Sequence, residues 1–178
     1  FKNNDIVIYG IGGHAGMCID IIKNSSEYNL IGFVDDNVKK DNRYGLQYFG
    51  DFDEFDRLFK KGLKNIIIGI GFLHNLKKRE RIYNKLKIKF NIPSFIHHSA
   101  IIEDTANVEE GCQIMAGSII GSNVNIAENS IINSGSIISH DTDIGSSSHI
   151  TPGATIAGNV KIGKRVTIGM CATIYINS

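Results

Sequence analysis

The sequence predicts two differently built halves: a small parallel α/β sheet of βαβαβα order over residues 1–92 and a parallel β-helix over residues 93–178. Three observations predict them. A β-branched aliphatic residue recurs at every sixth position from Ile96 to Ile174. Three short apolar runs in the first half end in glycine or aspartate and alternate with helical patterns. The charge is uneven as well, with 16 Lys/Arg against 11 Asp/Glu in residues 1–95 and 3 against 7 in residues 96–178.

The six-residue period holds at Ile96, Ile102, Val108, Ile114 and on through Ile138, Ile144 and Ile150 to Ile174. Two positions before each aliphatic, from Ile102 onward, stands a small or medium residue such as Ala100, Cys112, Ser118, Ser130, Thr142 or Ala172. One stiff aliphatic and one small residue per hexad describe one flat side of a triangular prism. A coil then takes about 18 residues and stacks on the next at about 4.8 Å. The half spans about four coils by this count. The aliphatic fills the interior, the small residue fits a corner, and Gly121, Gly145, Gly163 and Gly169 directly follow the aliphatic, where a tight backbone suits glycine. An interior so narrow and apolar holds no substrate, so function belongs on the outside.

In the first half, "DIVIYG" (5–10) reads as a strand, "GIGGHAGMCIDIIKNS" (10–25) as a glycine turn and helix, "NLIGFVDD" (29–36) as a second strand and "KNIIIGIG" (64–71) as a third. A basic helix over 74–90 follows, and Pro93 marks the junction. The strand carboxyl ends are where such a sheet binds ligands. Gly10-x-Gly12-x-x-Ala15 matches the dinucleotide fingerprint of Rossmann-like folds, and Asp35 lies 25 residues beyond Gly10, near where an acidic residue holds ribose hydroxyls. Alone this suggests an NAD-dependent oxidoreductase. Yet ~90 residues supply only half of a full dinucleotide fold, and no domain with an acid/base pair follows. A single nucleotide is the more economical ligand.

Neither half has a dense basic face interleaved with aromatics, so a nucleic-acid partner is not expected. The run "LKKRERIYNKLKIK" reads as a solvated helix face whose charge helps attract anions. No apolar run approaches the ~20 residues of a membrane span, and no signal peptide is visible, so a cytoplasmic protein is expected. Cys18, Cys112 and Cys171 lack metal-ligand spacing, no metal is expected, and all three are read as small apolar packing residues. His97 and His98 are read as junction packing and His74 as exposed. The sequence starts at Phe1 and stops at "YINS" without a terminating device, so the β-helix is expected to be truncated at its C-terminal end.

A βαβαβα unit with "GIGGHA" and a "VDD" strand end, joined through "PSFIHHSA" to a hexapeptide β-helix containing "SHDTDIG", resembles one family over essentially the whole chain. It is similar to the sugar O- and N-acetyltransferases grouped with the sialic acid O-acetyltransferases, including bacterial N-acetyltransferases of UDP- or GDP-linked 4-amino-sugars. The resemblance implies a left-handed β-helix, a homotrimer, and acetyl-CoA held in a cleft between neighbouring subunits. It implies that Gly12, Gly13 and His14 line the nucleotide-sugar phosphates, that Asp35 and Asp36 meet the base or ribose, and that Gly69 and Gly71 allow close approach. By the same resemblance His140 is the general base, Asp141 the carboxylate that raises its basicity, His149 a contact to the thioester end of acetyl-CoA, and Gly158 a backbone contact to the CoA arm.

Elementary chemistry agrees with the base. An ammonium cannot attack a thioester, and a neutral imidazole beside a carboxylate is a suitable proton acceptor near neutral pH. The expected reaction is direct N-acetylation of a nucleotide-linked 4-amino-sugar for surface glycans. The rival readings are O-acetylation of sialic acid or another sugar, and a nucleotide-binding oxidoreductase or regulatory module on a trimeric β-helix stalk. His140 and His149 stand nine residues apart, half a coil, so they are expected on opposite sides of the prism.

Overall fold

The structure, a computed structural model, describes residues 1–38, 44–71 and 75–176. It divides into two compact units, Phe1–Gly71 with Ile82–Pro93 and Phe72–Arg81 with Ser94–Ser178.

The first unit carries a parallel sheet of β1 (Asp5–Tyr9), β2 (Asn29–Val34), β3 (Gln47–Gly50) and β4 (Asn65–Ile68), in the order β3-β2-β1-β4. Helices α1 (Gly13–Lys23) and α2 (Phe55–Lys60) lie between strands in sequence, and α3 (Leu76–Leu86) follows β4. The central strands are continuous apolar runs because both faces of a parallel sheet are covered, and Ile6, Val7, Ile8, Ile66, Ile67 and Ile68 are all buried. The sheet has one strand more than the three expected. The added β3, "QYFG", is an edge strand with no fully buried residue and a register shift against β2, so it lacks the apolar run that marks the others.

The second unit is the parallel β-helix, made of two-residue strands that each end on the hexad aliphatic. Its first face stacks Phe95–Ile96, Gln113–Ile114, Ile131–Ile132, His149–Ile150 and Thr167–Ile168. The second stacks Ile101–Ile102, Ile119–Ile120, Ile137–Ile138, Thr155–Ile156 and Thr173–Ile174. The third stacks Asn107–Val108, Asn125–Ile126, Asp143–Ile144 and Lys161–Ile162. Partners in each stack are 18 residues apart, as Ile120, Ile138 and Ile156 are. The aliphatics from Ile114 to Ile156 form the buried interior, while Ile96 at the first coil is exposed because no coil lies beyond it.

The corners are stitched by the small residues. Ser118, Ser130, Ser136, Thr142 and Ser148 are buried, and each hydroxyl donates to the carbonyl 15 residues on, at 2.9–3.1 Å. A buried hydroxyl needs that partner, which is why the position accepts Ser and Thr as readily as Ala or Cys. The left-handed conformation falls three residues after the aliphatic, at all eleven turns from Gly111 to Cys171, with φ of 55 to 71°. It does not fall at the glycines directly after the aliphatic. Gly121 and Gly145 instead make room for the backbone of the next coil, since a Cβ on Gly121 would lie 2.9 Å from the His140 nitrogen. Asn, Asp and Gly dominate the left-handed positions because their backbones tolerate positive φ best.

Ile138→Ala, which empties a fully buried interior position, is expected to cost 2–5 kcal/mol in guanidinium denaturation, by the usual range for Ile-to-Ala changes in a core.

Candidate active site

The corner after the strand Ile137–Ile138 carries His140 and Asp141 on its outer side. Asp141 takes the left-handed position, with φ of 55°, and its Oδ2 lies 2.8 Å from His140 Nδ1. Both side chains are more than half exposed, at 64% and 52%. A carboxylate can only accept, so in the neutral ring Nδ1 carries the proton and Nε2 presents a lone pair. Asn123, one coil earlier, donates Nδ2 to the other oxygen, Oδ1, at 3.1 Å. The hydrogen bond from His140, followed by that from Asn123, holds the Asp141 carboxyl below the usual carboxylate range. The pair is therefore an ionised carboxylate orienting an exposed imidazole.

Gly158 stands one coil beyond His140, and Asn159 N–H donates to the His140 carbonyl at 3.0 Å. A Cβ on Gly158 would lie 2.7 Å from His140 Nε2, so the glycine meets the ring itself. His149 sits elsewhere. It lies on the first face, whereas His140 is at the corner between the second and third, so the two occupy opposite sides of the prism. Its strand position points outward, yet it is only 3% exposed, together with Phe95, Gln113 and Ile131 of the same column. The start of α3 lies against this side: Arg79 Nε donates to the Asn129 carbonyl at 3.3 Å, and Arg165 Nη1 donates to both Glu80 oxygens at 2.9 and 3.0 Å. His149 Nε2 is 3.1 Å from Asn133 Nδ2, which makes it an acceptor within a buried pair.

In the first unit the expected residues gather at the strand carboxyl ends. Gly12 is the extended N-cap of α1, Gly13 its first residue, and both are exposed with nothing within 4 Å of where a Cβ would stand. The helix N-terminus behind them offers backbone N–H groups to an anion. Gly71 meets His14: a Cβ on that glycine would lie 3.3 Å from His14 Cβ and Cγ. Gly69 departs from expectation: the space of its missing side chain is filled by the Gly10 carbonyl and Ile8, so it serves packing between strand ends. Asp35 and Asp36 already have partners inside the unit. Asp35 accepts from Ile11 N–H at 2.9 Å, Asn37 N–H at 2.8 Å and Val38 N–H at 2.9 Å. Asp36 accepts from Tyr9 O–H at 2.8 Å and Phe52 N–H at 2.9 Å, and burial with this bond raises the Tyr9 phenol above its ordinary range. Both carboxylates thus brace the glycine turn and the loops beside it. Tyr9 and Phe52 give no sign in the sequence of this role.

His97 and His98 stack on each other with ring centroids 4.2 Å apart, and His97 Nδ1 pairs with Ser99. His74 lies outside the described residues. Among the described residues no three His, Cys, Asp or Glu side chains form a group that could hold a metal, and no helix is long and apolar enough to cross a membrane.

Residues 5–86 match the family described as the PglD N-terminal domain, and residues 141–175 match the bacterial transferase hexapeptide, six repeats. The chain is similar to the acetyltransferase domain of PglB from Neisseria gonorrhoeae, solved with acetyl coenzyme A. Identity is 25%, with 97% of this chain and 82% of that one covered and a TM-score of 0.88. It also shares its fold with perosamine N-acetyltransferase from Caulobacter crescentus, solved as a histidine-to-asparagine mutant with CoA and GDP-perosamine. There identity is 23%, with 98% and 90% covered and a TM-score of 0.83. Fold and repeats together define a hexapeptide-repeat acyltransferase with a left-handed β-helix. The PglD-type N-terminal domain followed by transferase hexapeptide repeats makes the chain similar to the nucleotide-amino-sugar acetyltransferases.

An acyltransferase can use a cysteine as nucleophile only if its thiolate is accessible. Cys18 and Cys112 are buried, and burial pushes the Cys112 thiol up to about 12. Cys171 corrects the packing expectation, because it holds a left-handed turn position that directs its side chain outward, and it is exposed. Iodoacetamide at neutral pH should therefore alkylate Cys171 in the native protein and spare Cys18 and Cys112, as read by peptide mass spectrometry.

Proposed function

We propose that the chain transfers the acetyl group of acetyl-CoA to the amine of a nucleotide-linked 4-amino-sugar, with His140 as general base. The observation that carries this reading is the 2.8 Å contact between His140 Nδ1 and Asp141 Oδ2, which leaves Nε2 of a largely exposed side chain as the acceptor. Nε2 takes the amine proton as the nitrogen attacks the thioester carbonyl, and the imidazolium so formed returns a proton to the departing thiolate. Ionised Asp141 stabilises the imidazolium between these steps. Backbone N–H groups of the wall are the donors available to the developing oxyanion. No acyl-enzyme is required.

The neighbours named above support the substrates: one was solved with acetyl coenzyme A and the other with CoA and GDP-perosamine. For the sugar nucleotide, the open α1 N-terminus at Gly12, Gly13 and His14 suits its diphosphate, with Gly71 beside His14. Asp35 and Asp36 then act mainly by shaping the turn, with lone pairs left over for a base or ribose edge. Such products supply surface-glycan assembly in the cytoplasm. Thiol release from acetyl-CoA, tested with UDP-, GDP- and dTDP-linked 4-amino-sugars, should depend on one of them and give a product acetylated on nitrogen. Release with none of them, or an acetyl on a hydroxyl, would contradict the reading.

A homotrimer is part of the same proposal. Ile101, Ile119 and Ile137 form an outward column on the second face, in three successive coils, and are 56%, 37% and 38% exposed. The third face presents Asn107, Asn125, Asp143 and Lys161 outward, so the apolar column distinguishes the second. A contiguous apolar stripe of this kind marks a protein contact. A second copy seated there borders the His140 corner, where acetyl-CoA would lie between subunits with Gly158 as the proposed cofactor contact. The expected contact from His149 does not fit, because its buried imidazole is engaged with Asn133 on the opposite side. Sedimentation should show a trimer, and Ile119→Lys with Ile137→Lys should convert it to a folded monomer; a monomeric parent protein would refute the interface.

A further inference from the structure

Two residues that touch the His140 pair do so from adjacent coils, one on each side. A Cβ on Gly158 would lie 2.6 Å from His140 Cε1, 2.7 Å from Nε2 and 3.1 Å from Nδ1. These three atoms are the nitrogen-bearing edge of the ring, so that edge rests directly over the glycine. Non-bonded heavy atoms settle at about 3.5–4.0 Å, so a methyl there would push the ring away by roughly 1 Å. The ring is the far end of a flexible side chain, and moving it leaves the coil intact. What moves out of range is the 2.8 Å contact to Asp141, since hydrogen bonds fade beyond ~3.2 Å.

On the other side, Asn123 is itself held. It takes the left-handed turn position, with φ of 58°, and its N–H donates to Thr105 Oγ1 at 2.9 Å. From there Nδ2 reaches Asp141 Oδ1 at 3.1 Å. With Oδ1 engaged, Oδ2 is the oxygen turned to His140.

We propose that Gly158 and Asn123 are positioning residues for the base: Gly158 is the floor on which the imidazole lies with Nε2 open, and Asn123 is the clamp that fixes the carboxylate holding Nδ1. The inference rests on His140 as base and extends it, because it gives Gly158 a steric duty toward the ring in addition to any contact with the CoA arm. The lowered titration of Asp141 agrees with the clamp, since Asn123 is one of its causes.

The test is a double-mutant cycle on kcat, with folding followed by circular dichroism and thermal melting. Gly158→Ala should lower kcat at least about 10-fold in the parent protein, yet less than about 2-fold in a His140→Ala background, because contacting residues that act as a unit are not additive. Multiplying factors, a rise confined to the KM for acetyl-CoA, or a Gly158→Ala chain that fails to fold would each overturn the floor. Asn123→Ala should lower kcat by about 3–10-fold with KM unchanged, a modest part of the effect of acid-base catalysis. In the same variant the Asp141 carboxyl, followed by carbon-13 NMR, should titrate higher; an unchanged midpoint would overturn the clamp. The His140 ring-proton shifts should also move in Gly158→Ala. This last readout needs no turnover, so a His140→Ala enzyme with full activity would refute the base and still leave the floor to be judged on the spectra.

Discussion

The structure of the β-helix hangs on coil closure in 18 residues, enforced by a left-handed residue at the same place in the eleven turns from Gly111 to Cys171. That conformation costs roughly 1–2 kcal/mol for an ordinary L-residue, so the chain tolerates it by using Asn, Asp or Gly at most turns. Once the closure is regular, residues 18 apart become neighbours along a column. The columns Ser122, His140, Gly158 and Asn123, Asp141, Asn159 follow from this alone. So does the apolar column Ile101, Ile119, Ile137 on the face next to them.

The same regularity explains why catalysis fits on so plain a wall. A corner has no cavity to bury a base, and His140 with Asp141 stands largely in solvent. Precision must then come from geometry rather than enclosure. Asp141 supplies it twice, since its left-handed backbone presents the carboxylate beside the ring of the preceding residue and its own two oxygens are engaged separately, by His140 and by Asn123. A surface ion pair is ordinarily worth little, but fixing both oxygens reduces the freedom that makes it so. In the first unit the opposite strategy holds: Asp35 accepts from three backbone N–H groups and Asp36 from Phe52 N–H and Tyr9 O–H, so the glycine turn is braced while the helix N-terminus stays open.

Much of the fold was legible because hexads and apolar strands are local patterns. Ile96 to Ile174 announce the coils, and "DIVIY" and "NIII" announce the central strands. The edge strand Gln47–Gly50 was not legible, since it is half-buried at best and has no apolar run. The left-handed turns were not legible because Asn, Asp, Ser, Arg, Cys and Gly share no hydrophobic signature, while the more conspicuous glycines stand two positions earlier and at Gly121 and Gly145 serve coil spacing. His140 and Asp141 could be found from motif and chemistry. Asn123 could have been found too, by subtracting one coil from Asp141. The burial of His149 and the bracing roles of Asp35 and Asp36 could not, because they depend on α3 and on loop amides brought in from far along the chain.

The central claim is that this exposed corner carries the base. The most direct measurement is kcat of a His140→Ala protein whose melting temperature matches the parent. The account predicts a fall of about 10² to 10⁴-fold, the usual worth of acid-base catalysis, whereas a fall smaller than about 10-fold would contradict it.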